Sequence, residues 1–191
     1  MHQNYEYLKK FADISEETFN EIAEITEFKR IEAGTQIVKL GEVPTKIYML
    51  VSGFMRCYLT TESGKEYNKS FYLPISFIGS LTALLSNKPS MLVFEALSDC
   101  KLYEIDYKKF KGICERNIKL NTLHSKVLEY VYVKYEKRLI ELMSLDATER
   151  YLALKKEIPD VDEKIPQYQI ASYLGITAVQ LSRIRKKIDS N

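Results

Sequence analysis

The sequence predicts an α+β protein. We expect an N-terminal antiparallel β-roll of the jelly-roll type with flanking helices, a long central helix and a C-terminal helix-turn-helix domain. Three observations predict this class. Short β-rich runs punctuated by five of the seven glycines occupy positions 29–106. A segment with helical apolar spacing follows, and two short helical patterns then flank Gly175. The expected units are 1–110, 111–143 and 144–191.

The N-terminal segment is predicted to be helical before the β-rich runs begin. Apolar residues recur with helical spacing from Leu8 to Phe28, and Ser15 stands before two glutamates as a predicted N-cap. The β-rich runs are Gln36–Leu40, Ile47–Val51, Phe54–Thr60, Tyr67–Leu73, Met91–Ala96 and Lys101–Ile105. Between two of them, Glu62–Lys65 predicts a hairpin turn.

The central segment, roughly Tyr107 to Met143, carries two lines of apolar residues. One contains Phe110, Ile113, Ile118, Leu123, Val127, Val131, Leu139 and Leu142, and the other Leu128, Tyr132, Tyr135 and Met143. Two apolar faces on one helix predict packing on the β-roll and on a second copy of the chain. Residues 130–133 are locally β-prone, so a strand is the alternative there, although the charged residues that follow favour a helix.

The last third of the chain begins with a predicted hinge at Ser144–Asp146. Asp146 followed by Glu149 predicts a capped helix, and Pro159–Asp160 marks a loop. Helices at Gln167–Leu174 and Thr177–Lys187 then follow. Apolar residues that would bury the crossing of these two helices are Ile170, Leu174, Ile176, Leu181 and Ile184.

The turn between these two helices carries specific signals. Ala171 is small where two helices approach, and Gly175 suits the positive φ at the end of the first helix. Thr177 and Gln180 form a Thr-x-x-Gln capping box for the second. This combination predicts a helix-turn-helix, a motif that places its second helix in the major groove of DNA.

Charge is distributed unevenly along the chain. The net charge is only +2, but residues 164–191 contain five basic residues and one acid, so this end carries about +4. Four of the five are Arg183, Arg185, Lys186 and Lys187, at the end of the second helix. A solvated helix face explains such a cluster by itself. Together with the helix-turn-helix pattern, it favours contact with DNA phosphates.

Several protein classes are disfavoured. No apolar run is long enough to cross a membrane, and the first residues lack the pattern of a signal peptide, so we expect a cytoplasmic protein without a membrane partner. Cys57, Cys100 and Cys114 have no metal-ligand spacing, which indicates buried thiols. His2 and His124 are too few and too distant for a metal cluster. Since the β-region has no histidine and no catalytic motif is present, we predict that the protein is not an enzyme.

The order of these parts resembles the Crp–Fnr family of bacterial transcription regulators across nearly the whole chain. The residues that carry the resemblance are Leu40–Glu42, Ile47–Gly53, Phe77–Gly79, Tyr107–Phe110, Ile170–Thr177 and Leu181–Arg185. The resemblance implies a cyclic-nucleotide-binding-like β-roll, a homodimer through the central helix and sequence-specific binding to double-stranded DNA. RNA polymerase is a further implied partner.

The resemblance also identifies a candidate effector pocket, formed by Gly79, Ser80, Ser90, Met91, Tyr135 and Glu136. Family members that respond to cyclic AMP have a phosphate-binding segment that opens Gly-Glu and closes Arg-Ser. Here Ser80 replaces the glutamate, and Ser90–Met91 stands in place of Arg-Ser. Because a buried phosphate needs its charge-assisted partner, ordinary binding of cyclic AMP is not expected.

No cofactor is predicted, and the effector is unknown. The pocket is either collapsed or suited to a different effector, and a β-roll that serves only as a rigid dimerisation platform is also open. An iron–sulfur cluster or a haem has little support. Before Cys57 the chain has no cysteine like those of the oxygen-sensing relatives, and it has only two histidines.

The candidate DNA-binding residues are Gln167, Ser172, Thr177, Ala178, Val179, Ser182, Arg183 and Lys186. Gln167, Ser172 and Thr177 are expected to contact phosphates. Base edges are expected to be contacted by four residues of the second helix: Ala178, Val179, Ser182 and Arg183. Arg183 is the strongest candidate because its guanidinium can bind guanine in a bidentate manner, although a phosphate contact is the alternative. Lys186 contributes nonspecific charge.

We therefore predict a sequence-specific DNA-binding transcription regulator of the Crp–Fnr type. It acts as a dimer on a palindromic operator, and its sensor domain does not bind cyclic AMP in the usual way. The alternative is a cyclic-nucleotide-binding-like regulatory module that acts on a protein partner without binding DNA.

Overall fold

The computed structural model describes residues 2–190, with side chains from residue 5 onward. Two four-stranded antiparallel sheets form the β-roll, with strand orders β1-β8-β3-β6 and β2-β7-β4-β5. The strands are β1 (Thr26–Ile31), β2 (Gln36–Val38), β3 (Lys46–Ser52), β4 (Met55–Thr60), β5 (Glu66–Tyr72), β6 (Ser76–Ile78), β7 (Val93–Ala96) and β8 (Cys100–Asp106). The predicted fold class is confirmed.

Helices flank the roll and form the C-terminal third. They are α1 (His2–Lys9), α2 (Glu16–Glu24), α3 (Leu81–Ser86), α4 (Tyr107–Arg116), α5 (Ile118–Ser144), α6 (Ala147–Glu157), α7 (Val161–Lys164), α8 (Gln167–Leu174) and α9 (Ala178–Asp189). Among the described residues, none of these helices combines the length and the apolar character that a membrane span requires.

Three apolar cores hold the molecule together. The first lies between the two sheets and includes Leu50, Met55 and Phe94. In the second, α1, α2, α4 and the start of α5 pack on residues such as Ile47 and Phe77 of the first sheet. The third core joins α6–α9 around Tyr151, Ile170, Leu174 and Leu181, and side chains of the roll also pack against it.

The structure corrects the predicted N-terminal helix. It is two helices, and Ser15 caps the second by accepting a hydrogen bond from the Thr18 N–H. The expected end of the helix belongs instead to strand β1, which pairs in unbroken register with β8 from Thr26–Ile105 to Ile31–Cys100. All six predicted β-rich runs contain a strand. The sequence reasoning missed β1 and β6 because their partners are distant in the chain.

The predicted continuous central helix is wrong at one residue. Asn117 adopts an extended backbone (φ −122°, ψ 101°) and separates α4 from α5. Its side chain caps α5 at the Leu120 N–H and also donates hydrogen bonds to Thr18 and Glu21 of α2. A tertiary contact therefore fixes this break. Residues 130–133 are helical, so the strand alternative is excluded.

The predicted signals of the C-terminal third are confirmed. Asp146 and Glu149 form a reciprocal capping box on α6, and Thr177 and Gln180 form another on α9. Gly175 ends α8 with φ +72°. These local rules place α8 and α9 as the two helices of a helix-turn-helix.

Candidate nucleic-acid interface and effector cavity

Helix α9 turns its N-terminal half to solvent. Thr177, Ala178, Val179 and Arg183 are exposed, with Val179 at 61% of its maximum area, and Ser182 is half-buried. Leu181 on the opposite side is completely buried and anchors the helix to its domain. The residues predicted to contact base edges therefore lie on a solvent-accessible surface. Lys186, one turn further on, is exposed as well.

One of the four basic residues at this end is used internally, so the expectation that all four face phosphate is wrong for Arg185. Arg185 forms an ion pair with Asp162 of α7, and its guanidinium lies 5.7 Å from the centre of the Tyr151 ring. It therefore ties α9 to its own domain. Arg183, Lys186 and Lys187 remain exposed.

The two predicted phosphate contacts on α8 already have partners within the protein. Gln167 donates a hydrogen bond from Nε2 to the Ala178 carbonyl (2.8 Å), which bridges the two helices of the motif. The Ser172 hydroxyl donates to the Glu66 carbonyl (3.0 Å) and accepts from the Asn68 N–H (2.9 Å). Ser172 thus faces strand β5, and a phosphate contact from it requires that α8 separate from this strand.

A buried polar cluster attaches α8 to the roll. Its centre is Arg56 on β4, whose Nη1 donates to the Gln169 side chain of α8 (2.8 Å). Asn68 of β5 donates to both the carbonyl and the side-chain oxygen of Gln169. All three side chains are at least 93% buried. Because buried polar groups need partners, these contacts fix α8 on β5 in one orientation. No local sequence signal links Gln169 to Arg56 and Asn68, which lie about a hundred positions earlier in the chain.

Two carboxylates complete the surroundings of Arg56. Its Nη1 pairs with Glu66 at 2.6 Å and its Nη2 with Glu95 at 3.1 Å, while Tyr58 stacks 3.8 Å from the guanidinium. Burial alone would lower the pKa of Arg56, but the hydrogen bond that Arg56 donates to Glu66 and the charge of Glu95 outweigh it and raise the pKa. The arginine therefore stays charged. Such a buried charge fixes geometry more than it adds stability.

An aromatic contact extends this attachment towards the central helix. Phe71 of β5 lies 5.1 Å from Tyr173 of α8, measured between ring centres. Arg138 of α5 stacks 3.9 Å from the Tyr173 ring and donates a hydrogen bond to its carbonyl. The helix-turn-helix therefore contacts both the roll and the central helix. We call the whole contact, from Arg56 to Arg138, the docking interface.

A cavity of about 650 Å³ lies between the first sheet, strand β5, the N-terminal helices and helices α3 to α5. Gly79, Ser80 and Tyr135 of the predicted effector pocket line it. A Cβ at position 79 would lie 3.3 Å from the Ile47 side chain, so a larger residue there requires Ile47 to move by a few tenths of an ångström. Ser90 is buried beside Ser80. The other two predicted residues, Met91 (80% exposed) and Glu136, point to solvent outside the lining.

The segment that would hold a cyclic phosphate is closed on itself. The Ser80 and Ser90 hydroxyls are hydrogen bonded to each other at 2.8 Å, and Ser90 also donates to the Leu92 carbonyl. Both side chains are buried, and the one basic residue of segment 79–91, Lys88, is exposed and does not line the cavity. At this segment a cyclic phosphate would therefore find no cationic side chain in the cavity lining, and the hydroxyls of Ser80 and Ser90 are already engaged.

The three cysteines are free and buried, as predicted. Burial raises the pKa of the Cys57 thiol to about 12, which keeps it protonated and unreactive at neutral pH. Within residues 2–190, no group of three or more histidine, cysteine or carboxylate side chains is arranged to hold a metal ion.

Comparison with known proteins agrees with this architecture. Residues 28–117 match the family model of the cyclic nucleotide-binding domain. The chain is 28% identical over 165 residues to the cAMP-activated global transcriptional regulator CRP of Salmonella typhimurium, covering 80% of this chain and 78% of that protein. It is 24% identical over 183 residues to the anaerobic regulatory protein of Haemophilus influenzae, with coverage of 90% and 70%.

Solved structures show the same fold. The c-di-GMP responsive global regulator CLP of Xanthomonas campestris superposes with a TM-score of 0.74 at 14% identity, covering 92% of each chain. FixK2 from Bradyrhizobium japonicum gives 0.71 at 18% identity, covering 87% of this chain and 85% of FixK2. The roll and the C-terminal motif thus define a cyclic-nucleotide-binding-like domain joined to a helix-turn-helix. Together, these similarities support a regulator of the Crp–Fnr family.

Proposed function

We propose that this protein binds a palindromic operator in double-stranded DNA as a homodimer, and that its sensor domain does not bind cyclic AMP in the usual way. The observation that carries the proposal is the exposed face of α9. Its capped N-terminus, the apolar pair Ala178–Val179 and the exposed Arg183 form one accessible surface. In a helix-turn-helix, this half of the second helix contacts base edges in the major groove.

The chemistry of this surface supports particular contacts. Arg183 would bind guanine O6 and N7, and Ala178 and Val179 would contact thymine methyl groups, with Ser182 beside them. Thr177 and the N–H groups at the start of α9 would bind phosphate, and Lys186 would add nonspecific attraction. Gln167 and Ser172 stay in the proposal as phosphate contacts. For Ser172, such a contact would follow only from opening of the docking interface.

The dimer is supported by an exposed apolar stripe on α5. Its members recur at alternating spacings of three and four residues, which is the pattern of a coiled-coil seam. They are the half-buried Leu128 and the exposed Tyr132, Tyr135, Leu139 and Leu142. Leu139 and Tyr132 expose 57% and 65% of their area. A second copy of α5 would cover this stripe and hold two α9 helices about 34 Å apart, one turn of B-DNA. On its operator the dimer would then contact RNA polymerase.

Selection from random duplexes tests DNA binding. Purified protein of the full chain is equilibrated with a random 30-base-pair library, and bound DNA is sequenced over successive rounds. We expect an inverted repeat with half-sites about one helical turn apart. No enriched sequence would contradict the proposal and favour a module that acts on a protein partner. Enrichment of a single, non-repeated half-site would contradict the dimer alone.

A matched pair of variants tests the dimer independently. Leu139→Glu places a charge in the stripe, whereas Leu152→Glu makes the same change on α6, where Leu152 is 48% exposed. Sedimentation at micromolar concentration should show monomers for Leu139→Glu and dimers for both the parent chain and Leu152→Glu. Dimers for Leu139→Glu would refute the central-helix interface.

A further inference from the structure

The lining of the effector cavity has an unusual charge balance. Most of its surface is apolar or aromatic, and no aspartate or glutamate lines it among the described residues. Lys69 of β5 is the only lysine or arginine of that lining. Burial and the nearby Lys111 lower the pKa of His124, so this imidazole is neutral at pH 7. The cavity therefore presents one positive charge on an otherwise uncharged wall.

A β-bulge places Lys69 at the cavity. On the neighbouring strand, Cys57 pairs with Ser70 and Tyr58 pairs with Asn68, which leaves Lys69 as an extra residue without a partner. A bulge of this kind redirects one side chain out of the strand's alternation. The Lys69 ammonium accordingly lies 4.2 Å from the centre of the Tyr135 ring on α5. It belongs to none of the ion pairs found among residues 2–190.

A lysine without a carboxylate beside an apolar cavity is complementary to an anion with an apolar body. The volume, about 650 Å³, lies within the range of sites for small organic molecules. The Tyr72 and Tyr135 rings lie on the same wall and supply apolar area together with hydroxyl groups. By contrast, the hydroxyls of Ser80 and Ser90 bind one another and offer nothing to a phosphate.

We propose that this cavity binds a small, largely apolar or aromatic molecule that carries one carboxylate or similar anionic group, with Lys69 as its charge partner. The inference rests on the proposed function only in that such a molecule would be the effector of the regulator. Strand β5 gives it a direct connection, since Asn68 and Phe71, on either side of the bulge, belong to the docking interface.

Calorimetric titration of the full chain tests the proposal with three probes. They are 2-naphthoate, its uncharged isostere 2-naphthamide, and cyclic AMP. We expect naphthoate to bind about tenfold more tightly than naphthamide, since one charge-assisted contact contributes that factor. Cyclic AMP should bind more weakly than naphthoate. Equal binding of the naphthyl pair, or tighter binding of cyclic AMP, would overturn the proposal.

Lysine variants locate the charge partner. Lys69→Gln should remove the preference for naphthoate, and Lys69→Arg should keep it. Lys65→Gln is the matched control, because Lys65 also stacks on a tyrosine (Tyr67, 4.7 Å) but does not line the cavity. A preference that survives Lys69→Gln would refute the assignment.

Selection of DNA with the same preparations, without a probe, separates the two proposals. Loss of DNA selection contradicts the operator proposal alone, and loss of the naphthoate preference contradicts the cavity proposal alone.

Discussion

The two helices of the helix-turn-helix are neighbours in the chain but have opposite surroundings. Helix α8 faces the roll through Gln169 and Ser172, which bind Arg56 and Asn68 in a buried cluster. Helix α9 exposes the face of its first two turns that carries Val179 and Arg183, and Arg183 belongs to no ion pair found among residues 2–190. The difference indicates that α8 sets the orientation of the motif, whereas α9 carries the surface proposed to bind DNA. One helix is held by contacts that exclude water, so the other is presented in a defined direction while its exposed Arg183 side chain stays available for contacts outside the protein.

The strongest test of this division is the removal of Arg56. Arg56→Met leaves Glu66, Glu95 and Gln169 without their shared donor, and breaking a buried ion pair costs about 3–5 kcal/mol. Urea denaturation should show a loss of that size, with the transition of the C-terminal domain separating from that of the roll. The exposed Arg30→Met is the control and should change stability by less than about 0.5 kcal/mol. An equal effect of both variants would mean that α8 is not held by this cluster.

The free helix should respond differently, through binding rather than stability. Arg183→Ala should lose about 1–3 kcal/mol of discrimination at one base pair in each half-site and leave the unfolding midpoint unchanged. Lys186→Ala should weaken binding to all sequences alike and reduce the salt dependence. Competition binding with single-base operator variants at several salt concentrations measures both. Uniform losses for the two variants would assign Arg183 to phosphate.

Ser172 lies at the boundary between the two behaviours. Ser172→Ala removes one donor to the Glu66 carbonyl and one acceptor for the Asn68 N–H, so stability should fall by about 1–3 kcal/mol. If α8 stays docked on DNA, the salt dependence of operator binding will match that of the parent chain. A shallower dependence would instead show that Ser172 leaves β5 and meets a phosphate.

Mild acid should produce the smallest loss of stability. The loss should arise at His124 of α5, which packs on α4, rather than at the docking interface. Burial, aided by Lys111, lowers the pKa of His124 below its unfolded value of about 6.5. The unfolded chain therefore takes up the proton first, and stability present above that pH declines as the pH falls from 7.5 to 5.5. His124→Phe, which keeps the ring packed against Phe110, should flatten this decline in urea denaturation. An unchanged slope would exclude His124 as its source.

The helix-turn-helix could be predicted from the sequence almost residue by residue. Its signals are local: a glycine with positive φ, a capping box and a short apolar pattern each act within four residues. The same holds for the caps Ser15 and Asp146. Such interactions depend little on the rest of the molecule, so the sequence carries them directly.

The parts that escaped prediction depend on distant partners. Strand β1 is defined by β8, about seventy residues later, and the break at Asn117 is held by contacts to α2. In the sequence, Arg185 is indistinguishable from the other basic residues of α9, because its ion pair with Asp162 depends on the tertiary fold. The role of Lys69 is set by a one-residue shift in pairing between β4 and β5, which composition does not reveal.

The short link between α5 and α6 bears on the making of chimeric regulators. Arg150 of α6 donates hydrogen bonds both to the Leu145 carbonyl in the link and to the Leu174 carbonyl at the end of α8. A fusion joined at this link would keep Arg150 with the helices that it contacts. It would lose Arg138 and Phe71, which contact Tyr173, and Asn68, which binds Gln169. Transplanting the C-terminal portion onto a foreign sensor therefore requires that the last turns of α5 and the matching edge of the host roll be transferred or redesigned with it.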